Sequence, residues 1–172
     1  MFLVKIADFL NRGLRWVLAI LLLGMVVSTL WQVIVRFLLG AIGINMSAPW
    51  TEEIARYFMI WVIFLGAAVA CRKAQLISLD ILVHSLPQRP GSIIRYFSLL
   101  VCLGFFGLMF NLGLQFLEYG SIEFSPVLSL PKNWIYIAMP VGFALMMFNT
   151  IALIIECFHE RGDIRFAGQD LA

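Results

Sequence analysis

Residues 96–117 read YFSLLVCLGFFGLMFNLGLQFL, 22 residues without a charge between Arg95 and Glu118. A helix needs about 20 predominantly apolar residues to cross about 30 Å of hydrocarbon. This stretch therefore fits one crossing and is too short for two. Lipid offers backbone groups no partner, so the crossing must be helical. The pattern recurs outward from there. Lys132 and Glu156 enclose 23 uncharged residues, and Arg15 and Arg36 enclose 20. Glu52 and Arg72 enclose 19, with Glu53 and Arg56 near one end. These brackets predict an all-α integral membrane protein. Its four transmembrane helices lie over roughly 15–39, 52–73, 93–118 and 133–157, in one membrane domain covering 1–172.

Composition agrees. Of 172 residues, 62% are hydrophobic and 13% charged, against about 45–50% and about 25% in ordinary soluble domains. So short a chain cannot hide that much apolar surface in one aqueous core. The net charge of +2, with its basic residues dispersed, argues against nucleic acid as a partner and leaves membrane lipid. Cys71, Cys102 and Cys157 lie in or beside apolar stretches without metal-ligand spacing and read as small apolar fillers.

Lys and Arg set the orientation. Lys5, Arg12, Arg15, Arg72, Lys73, Arg89, Arg95, Arg161 and Arg165 fall on one side, nine in all. Residues 40–50 and 119–133 hold only Lys132, once Arg36 and Arg56 are set aside as membrane-embedded. By the positive-inside rule both termini are cytoplasmic. The first span has a long apolar core and no small-x-small cleavage site before Gln32 and Arg36, so it is expected to be retained.

Two short segments read as amphipathic helices on the cytoplasmic leaflet. In residues 2–12, Phe2, Ile6 and Phe9 share one face, and Lys5, Asp8 and Arg12 another. In residues 77–86, Leu79, Leu82, Val83 and Leu86 form a stripe, with Asp80 and His84 on a different face. Pro87, Pro90 and Gly91 then turn the chain into span three, and Ser125 to Pro131 form a periplasmic loop. Trp134 and Tyr136 suit the interface beyond it.

Ionisable groups in a span need a partner or a function. Arg36 ends span one, and Glu52 and Glu53 open span two on the same side. Arg56 is one turn from Glu52. Thr51 or Ser47 is placed to cap this helix. A periplasmic clamp of Arg36, Glu52, Glu53 and Arg56 between spans one and two is expected, with Gln32 facing Arg36. Asn111 and Gln115 share a face of span three, and Asn149 sits in span four; all three read as interhelical hydrogen-bonding groups. Gly66 with Ala70 and Ala138 with Gly142 allow close helix approach, and Pro140 is a candidate kink.

Chemistry-bearing constellations are missing. His84 and His159 both fall outside the spans, where they cannot face a membrane haem. No Ser/His/Asp set, nucleotide loop or metal spacing occurs. Paired broken helices and a repeated half, the marks of a self-sufficient transporter, are lacking too. The sequence thus suggests no enzyme, no catalytic or metal site and no cofactor, but an accessory subunit.

The segment from Trp50 to Asp80 carries a resemblance. It reads Trp50, Glu52-Glu53, Ala55-Arg56, then Trp61, Leu65-Gly66-Ala67, Arg72 and Asp80. This resembles the small membrane subunit, DctQ-like, of tripartite ATP-independent periplasmic (TRAP) transporters. That family's pattern runs W-x-E-E-x-A-R, an aromatic, L-G-A, then R-x-x-x-H-I-x-x-D. Leu76 stands where the family usually has the His, so a role resting on that His does not carry over.

The resemblance implies a bacterial inner-membrane protein working in sodium-coupled uptake of an organic acid, whether carboxylate, sialic acid or sulfonate. A periplasmic substrate-binding protein would deliver the solute, and a large elevator-type membrane subunit would hold the substrate and sodium sites. The small subunit would scaffold the large one, help dock the binding protein, and bind neither ion nor substrate. Arg36, Trp50, Glu52, Glu53 and Arg56 would form the clamp and docking face, and Arg72 and Asp80 a cytoplasmic motif. Unlike fused relatives, a chain of this length is expected to be separate from its large partner. Two rivals are a membrane anchor of a redox enzyme, disfavoured by the absent intramembrane histidines, and a self-contained small channel or exporter.

Overall fold

The computed structural model describes residues 2–39, 48–73, 87–120 and 122–159. Four of its helices are long and apolar enough to cross a membrane. Helix α1 (Phe2–Val33) continues into a π-helical segment, Ile34–Leu39. Helix α2 (Pro49–Arg72) and helix α3 (Gln88–Gly120) follow. A short α4 (Asn133–Tyr136) leads into α5 (Ala138–His159). The four apolar spans are Leu3–Phe37, Pro49–Arg72, Pro90–Gly120 and Asn133–Glu156. They fall on the four stretches bracketed by charge.

Two elements differ from expectation. Residues 2–12 are helical, but they form the opening turns of α1 without a break from the span. No proline interrupts the chain between them, and Asn11 spends its side chain on the Ala7 carbonyl and on Asn149 instead of capping a new helix. The fourth span is divided at Ile137. Pro140 has no N–H to donate to the Tyr136 carbonyl, so the ladder lapses there and restarts when the Val141 amide donates to the Ile137 carbonyl at 3.2 Å. Pro140 thus sits in the first turn of α5, not in a mid-span kink. The segment expected over 77–86, with Asp80 and His84, lies outside the described residues.

The helices pack in the order α1, α2, α5, α3, with α1 also touching α5. The result is a row more than a closed bundle, and α1 and α3 form its two flanks. The inward face of α1 steps through Ala7, Asn11, Leu14, Leu18, Leu21, Met25, Ser28, Gln32 and Val35, alternating four and three residues as a packed helix seam does. Gly24 lies against the Phe58 ring, where a Cβ would come within 2.8 Å. Between α2 and α5, Gly142 accepts Phe64 so closely that a Cβ would lie 2.6 Å from the Phe64 Cβ. The buried core joins Ala68 and Cys71 of α2, Phe106 of α3 and Met146 of α5. Phe143 meets Phe64 edge-on at 5.7 Å and Phe105 at 6.3 Å, favourable geometry for the ring quadrupoles.

Candidate functional site

The sequence points first to the end of the row where α2 begins. Ala48 is the N-cap and Pro49 opens the helix, its missing N–H costing nothing in the first turn. Thr51 does not cap through an accepted bond; its hydroxyl donates to the Ala48 carbonyl at 2.7 Å. Ser47 lies outside the described residues. Trp50 is half exposed. Arg56 pairs with Glu52 at 3.2 Å, but the two side chains are 63% and 60% exposed. Such a pair contributes about 0–1 kcal/mol.

Glu53 behaves differently. One carboxylate oxygen accepts from the Tyr57 hydroxyl at 3.2 Å and from the Ser125 hydroxyl, and the other accepts from the Leu128 amide at 3.0 Å. It therefore ties α2 to the connection between α3 and α4. That connection closes on itself. The Ser125 amide donates to the Leu130 carbonyl at 2.8 Å and the Lys132 amide to the Glu123 carbonyl at 2.9 Å. Ser129 takes the positive φ of 51° that the tight reversal requires. Lys132 Nζ lies 2.9 Å from Glu123 Oε2, which also accepts from the Tyr136 hydroxyl at 3.1 Å. The Lys132 bond holds the Glu123 carboxyl below its ordinary pKa, and Glu123 holds the Lys132 ammonium above its own. Trp61 Nε1 donates to the Trp134 carbonyl at 3.1 Å, fixing α4 against α2.

Among the described residues the four expected clamp members are not joined into one cluster. Arg36 is exposed and makes no ion pair or hydrogen bond among the described residues, with Gln32 or with either glutamate. It sits in the π segment directly after Val35, the last buried position of the α1 seam at 3% exposed, which leaves Arg36 facing out. The link made by Glu53 runs to the 122–132 connection instead of to span one.

The stronger clamp lies at the opposite end. Arg72 is only 3% exposed. Its Nε and Nη2 reach Asp8 Oδ1 at 3.0 and 2.9 Å, and its Nη1 reaches Glu156 Oε2 at 2.5 Å. One guanidinium thus joins α1, α2 and α5, using the fork geometry that lysine lacks. Beneath it, Asn11 and Asn149 pair through their carboxamides, and Asn149 also donates to the Ala68 carbonyl at 2.7 Å. Asp8, Asn11 and Glu156 were not singled out from sequence as partners of Arg72 or Asn149. The available signal was polar residues at the inner ends of spans one and four, Asp8, Asn11 and Glu156, on the same side as Arg72 at the end of span two. Asp80 lies outside the described residues.

Span three supplies a contrast. Asn111 and Gln115 are exposed, and among the described residues neither bonds another helix. Asn111 only turns back to the Gly107 carbonyl at 3.3 Å. Gly104, Leu108, Asn111 and Gln115 fall on one outward stripe of α3. No group of three or more His, Cys, Asp and Glu side chains able to hold a metal ion occurs among the described residues.

Comparison with known proteins places these features. The profile of the tripartite ATP-independent periplasmic transporters, DctQ component, matches residues 25–160. A protein of Haemophilus influenzae named as a TRAP transporter small permease is 28% identical over 166 residues, 94% of this chain and 98% of that one. Two longer relatives also match. The sialic acid TRAP transporter permease SiaT of Haemophilus influenzae is 24% identical over 143 residues, 83% of this chain and 22% of that protein. The isethionate TRAP transporter permease DctMQ of Oleidesulfovibrio alaskensis is 35% identical over 103 residues, 58% of this chain and 16% of that protein. The match over residues 25–160, most of a chain with four helices long and apolar enough to cross a membrane, makes this protein a member of the DctQ family of TRAP transporter small permease components.

Proposed function

We propose that the chain is the fixed scaffold of a TRAP transporter in a bacterial inner membrane, seated beside a large permease subunit. The observation that carries this is the outward stripe of α3. Asn111 lies about 7 Å from the middle of the 96–117 stretch at 1.5 Å per residue, well inside the hydrocarbon. An amide facing lipid there forfeits hydrogen bonds, whereas the same amide against a neighbouring helix gains them. Gly104, where a Cβ would meet nothing within 4 Å, leaves room for that helix to approach. The outward stripe of α1 makes no such demand. Trp16, Ile20, Leu23, Val27, Leu30, Ile34 and Phe37 are all exposed and apolar, and Thr29 satisfies its hydroxyl on its own helix. In this reading α3 meets the large subunit and α1 meets lipid.

The much longer relatives SiaT and DctMQ support a large partner. The distribution of Lys and Arg, nine on one side against one on the other, supports cytoplasmic termini. The Glu53-anchored connection then faces the periplasm. Ile122, Phe124, Trp134 and Trp50 are exposed there, with Arg36, Glu52 and Arg56 beside them. This is the surface we assign to the periplasmic binding protein. The relatives' names include sialic acid, isethionate and C4-dicarboxylate, all organic anions at neutral pH. An organic acid is the corresponding substrate class here. Substrate and coupling-sodium sites belong to the large subunit in this reading.

Site-specific photocrosslinking in membranes containing the whole transporter tests the assignment. Probes at Leu108 and Asn111 are expected to trap the large subunit, while probes at Leu23 and Val27 label lipid. Adducts to the large subunit from α1 alone would reverse the assignment of faces.

A further inference from the structure

A cavity of about 240 Å³ opens between α1 and α2 beside the buried Arg72 clamp. Its walls include Arg12, Arg15, Lys73 and Arg72, against the single acid Asp8. Arg72 is already neutralised by Asp8 and Glu156. Arg12, Arg15 and Lys73 have no acidic partner among the described residues; Arg15 only touches the Asn11 carbonyl at 3.4 Å. Three cations without an acidic partner among the described residues thus line one concave space.

Depth matters as much as charge. Arg15 is the last charge before the uncharged run to Arg36, and Arg72 closes the apolar run of α2. The cavity therefore sits where hydrocarbon gives way to headgroups, on the side that carries most of the Lys and Arg. Trp16, 72% exposed, marks the same level. A second, apolar groove, lined by α1 alone from Phe9 to Val17, shares only Arg12 with the first and lies round the helix from it.

From this arrangement we infer that the chain binds an anionic phospholipid, its phosphate in the basic cavity. A cationic recess between transmembrane helices at headgroup depth recognises lipid phosphate in this way. Headgroup depth selects a lipid over a free anion, since a lipid carries its phosphate to that level.

The test uses the intact complex, delipidated in detergent and titrated with phosphatidylglycerol, phosphatidylcholine of the same chains, or inorganic phosphate. Native mass spectrometry counts bound lipid and thermal melting reports protection. Phosphatidylglycerol is expected to bind about tenfold tighter than phosphatidylcholine and to raise the melting temperature, and inorganic phosphate to do neither. The double variant Arg12→Gln, Arg15→Gln is expected to lose that preference, and Lys73→Gln to weaken it. Both leave the Arg72 clamp and the asparagine pair in place, so folding is preserved. Lys5→Gln removes an equal charge outside the cavity and is expected to change nothing. Equal binding of both lipids, protection by phosphate ion alone, or an equal loss in Lys5→Gln would overturn the inference.

Discussion

Asn11 and Asn149, 138 positions apart, exchange hydrogen bonds through both carboxamides, Nδ2 to Oδ1 at 2.7 Å in one direction and 3.0 Å in the other. Their remaining N–H groups donate to the Ala7 and Ala68 carbonyls, each at 2.7 Å. Every amide proton of the pair is used in a site that is 2% or less exposed. Removing one partner leaves the other buried and short of bonds, at a cost of about 1–3 kcal/mol. Asn149→Leu and Asn11→Leu are each expected to lower the melting temperature. The double variant should lose less than the sum of the singles, because no orphaned amide remains.

Arg72 sets a larger effect. Arg72→Ala abandons two carboxylates that, among the described residues, pair with no other cation. Breaking a fully buried pair costs about 3–5 kcal/mol; Asp8 is 47% exposed, so the loss should fall toward or below the low end. Arg72→Lys should recover only part, since an ammonium cannot serve Asp8 and Glu156 through a planar fork. Thermal melting in detergent measures both.

The two glycine pairs expected to bring helices together are not equivalent. Gly142 lies in hard contact with Phe64, whereas a Cβ on Gly66 would only touch a Leu18 methyl at 4.0 Å. Gly142→Ala is expected to cost about 1–3 kcal/mol by forcing α2 and α5 apart. Gly66→Ala should be neutral or slightly stabilising through helix propensity. Equal melting temperatures for the two variants would contradict this packing.

The Glu123–Lys132 pair gives the 122–132 connection a pH window. The carboxyl is depressed, so its contribution is complete above its unfolded pKa of about 4.5 and is lost as pH falls through the lower folded value. The ammonium is raised, so its contribution is complete below about 10.5 and is lost as pH rises through the higher folded value. Protection of the Lys132 amide, bonded to the Glu123 carbonyl, should therefore hold between those limits and fall on either side. Glu123→Gln should abolish the acid step, read by hydrogen exchange after correction for its intrinsic pH dependence.

The spans were legible because charges bracket them, and charge in lipid is expensive enough to mark a boundary in the bare sequence. Asn149 was legible as a helix-to-helix group for the same reason. Its partner was not, because Asn11 stands in a stretch whose Phe2, Ile6 and Phe9 spacing fits a surface helix equally well. Arg72 was visible as a motif residue, but its choice of Asp8 and Glu156 depends on how three helices are arranged. Arg36 was less legible, because the sequence does not say which of the neighbours Val35 and Arg36 takes the inward position, and the seam ends on Val35. Asn111 and Gln115 bond to no other helix of the chain among the described residues. Such a gap appears only once the chain's own helices are in place, and it points outside the chain.

Whether this protein is the scaffold of a larger transporter is tested most directly by deleting it beside its large permease subunit and measuring solute uptake, with affinity capture of the tagged chain in the intact strain. The chain is expected to capture the large subunit, and uptake to stop without it. A chain recovered alone, with uptake unchanged after its deletion, would rule out a scaffold role.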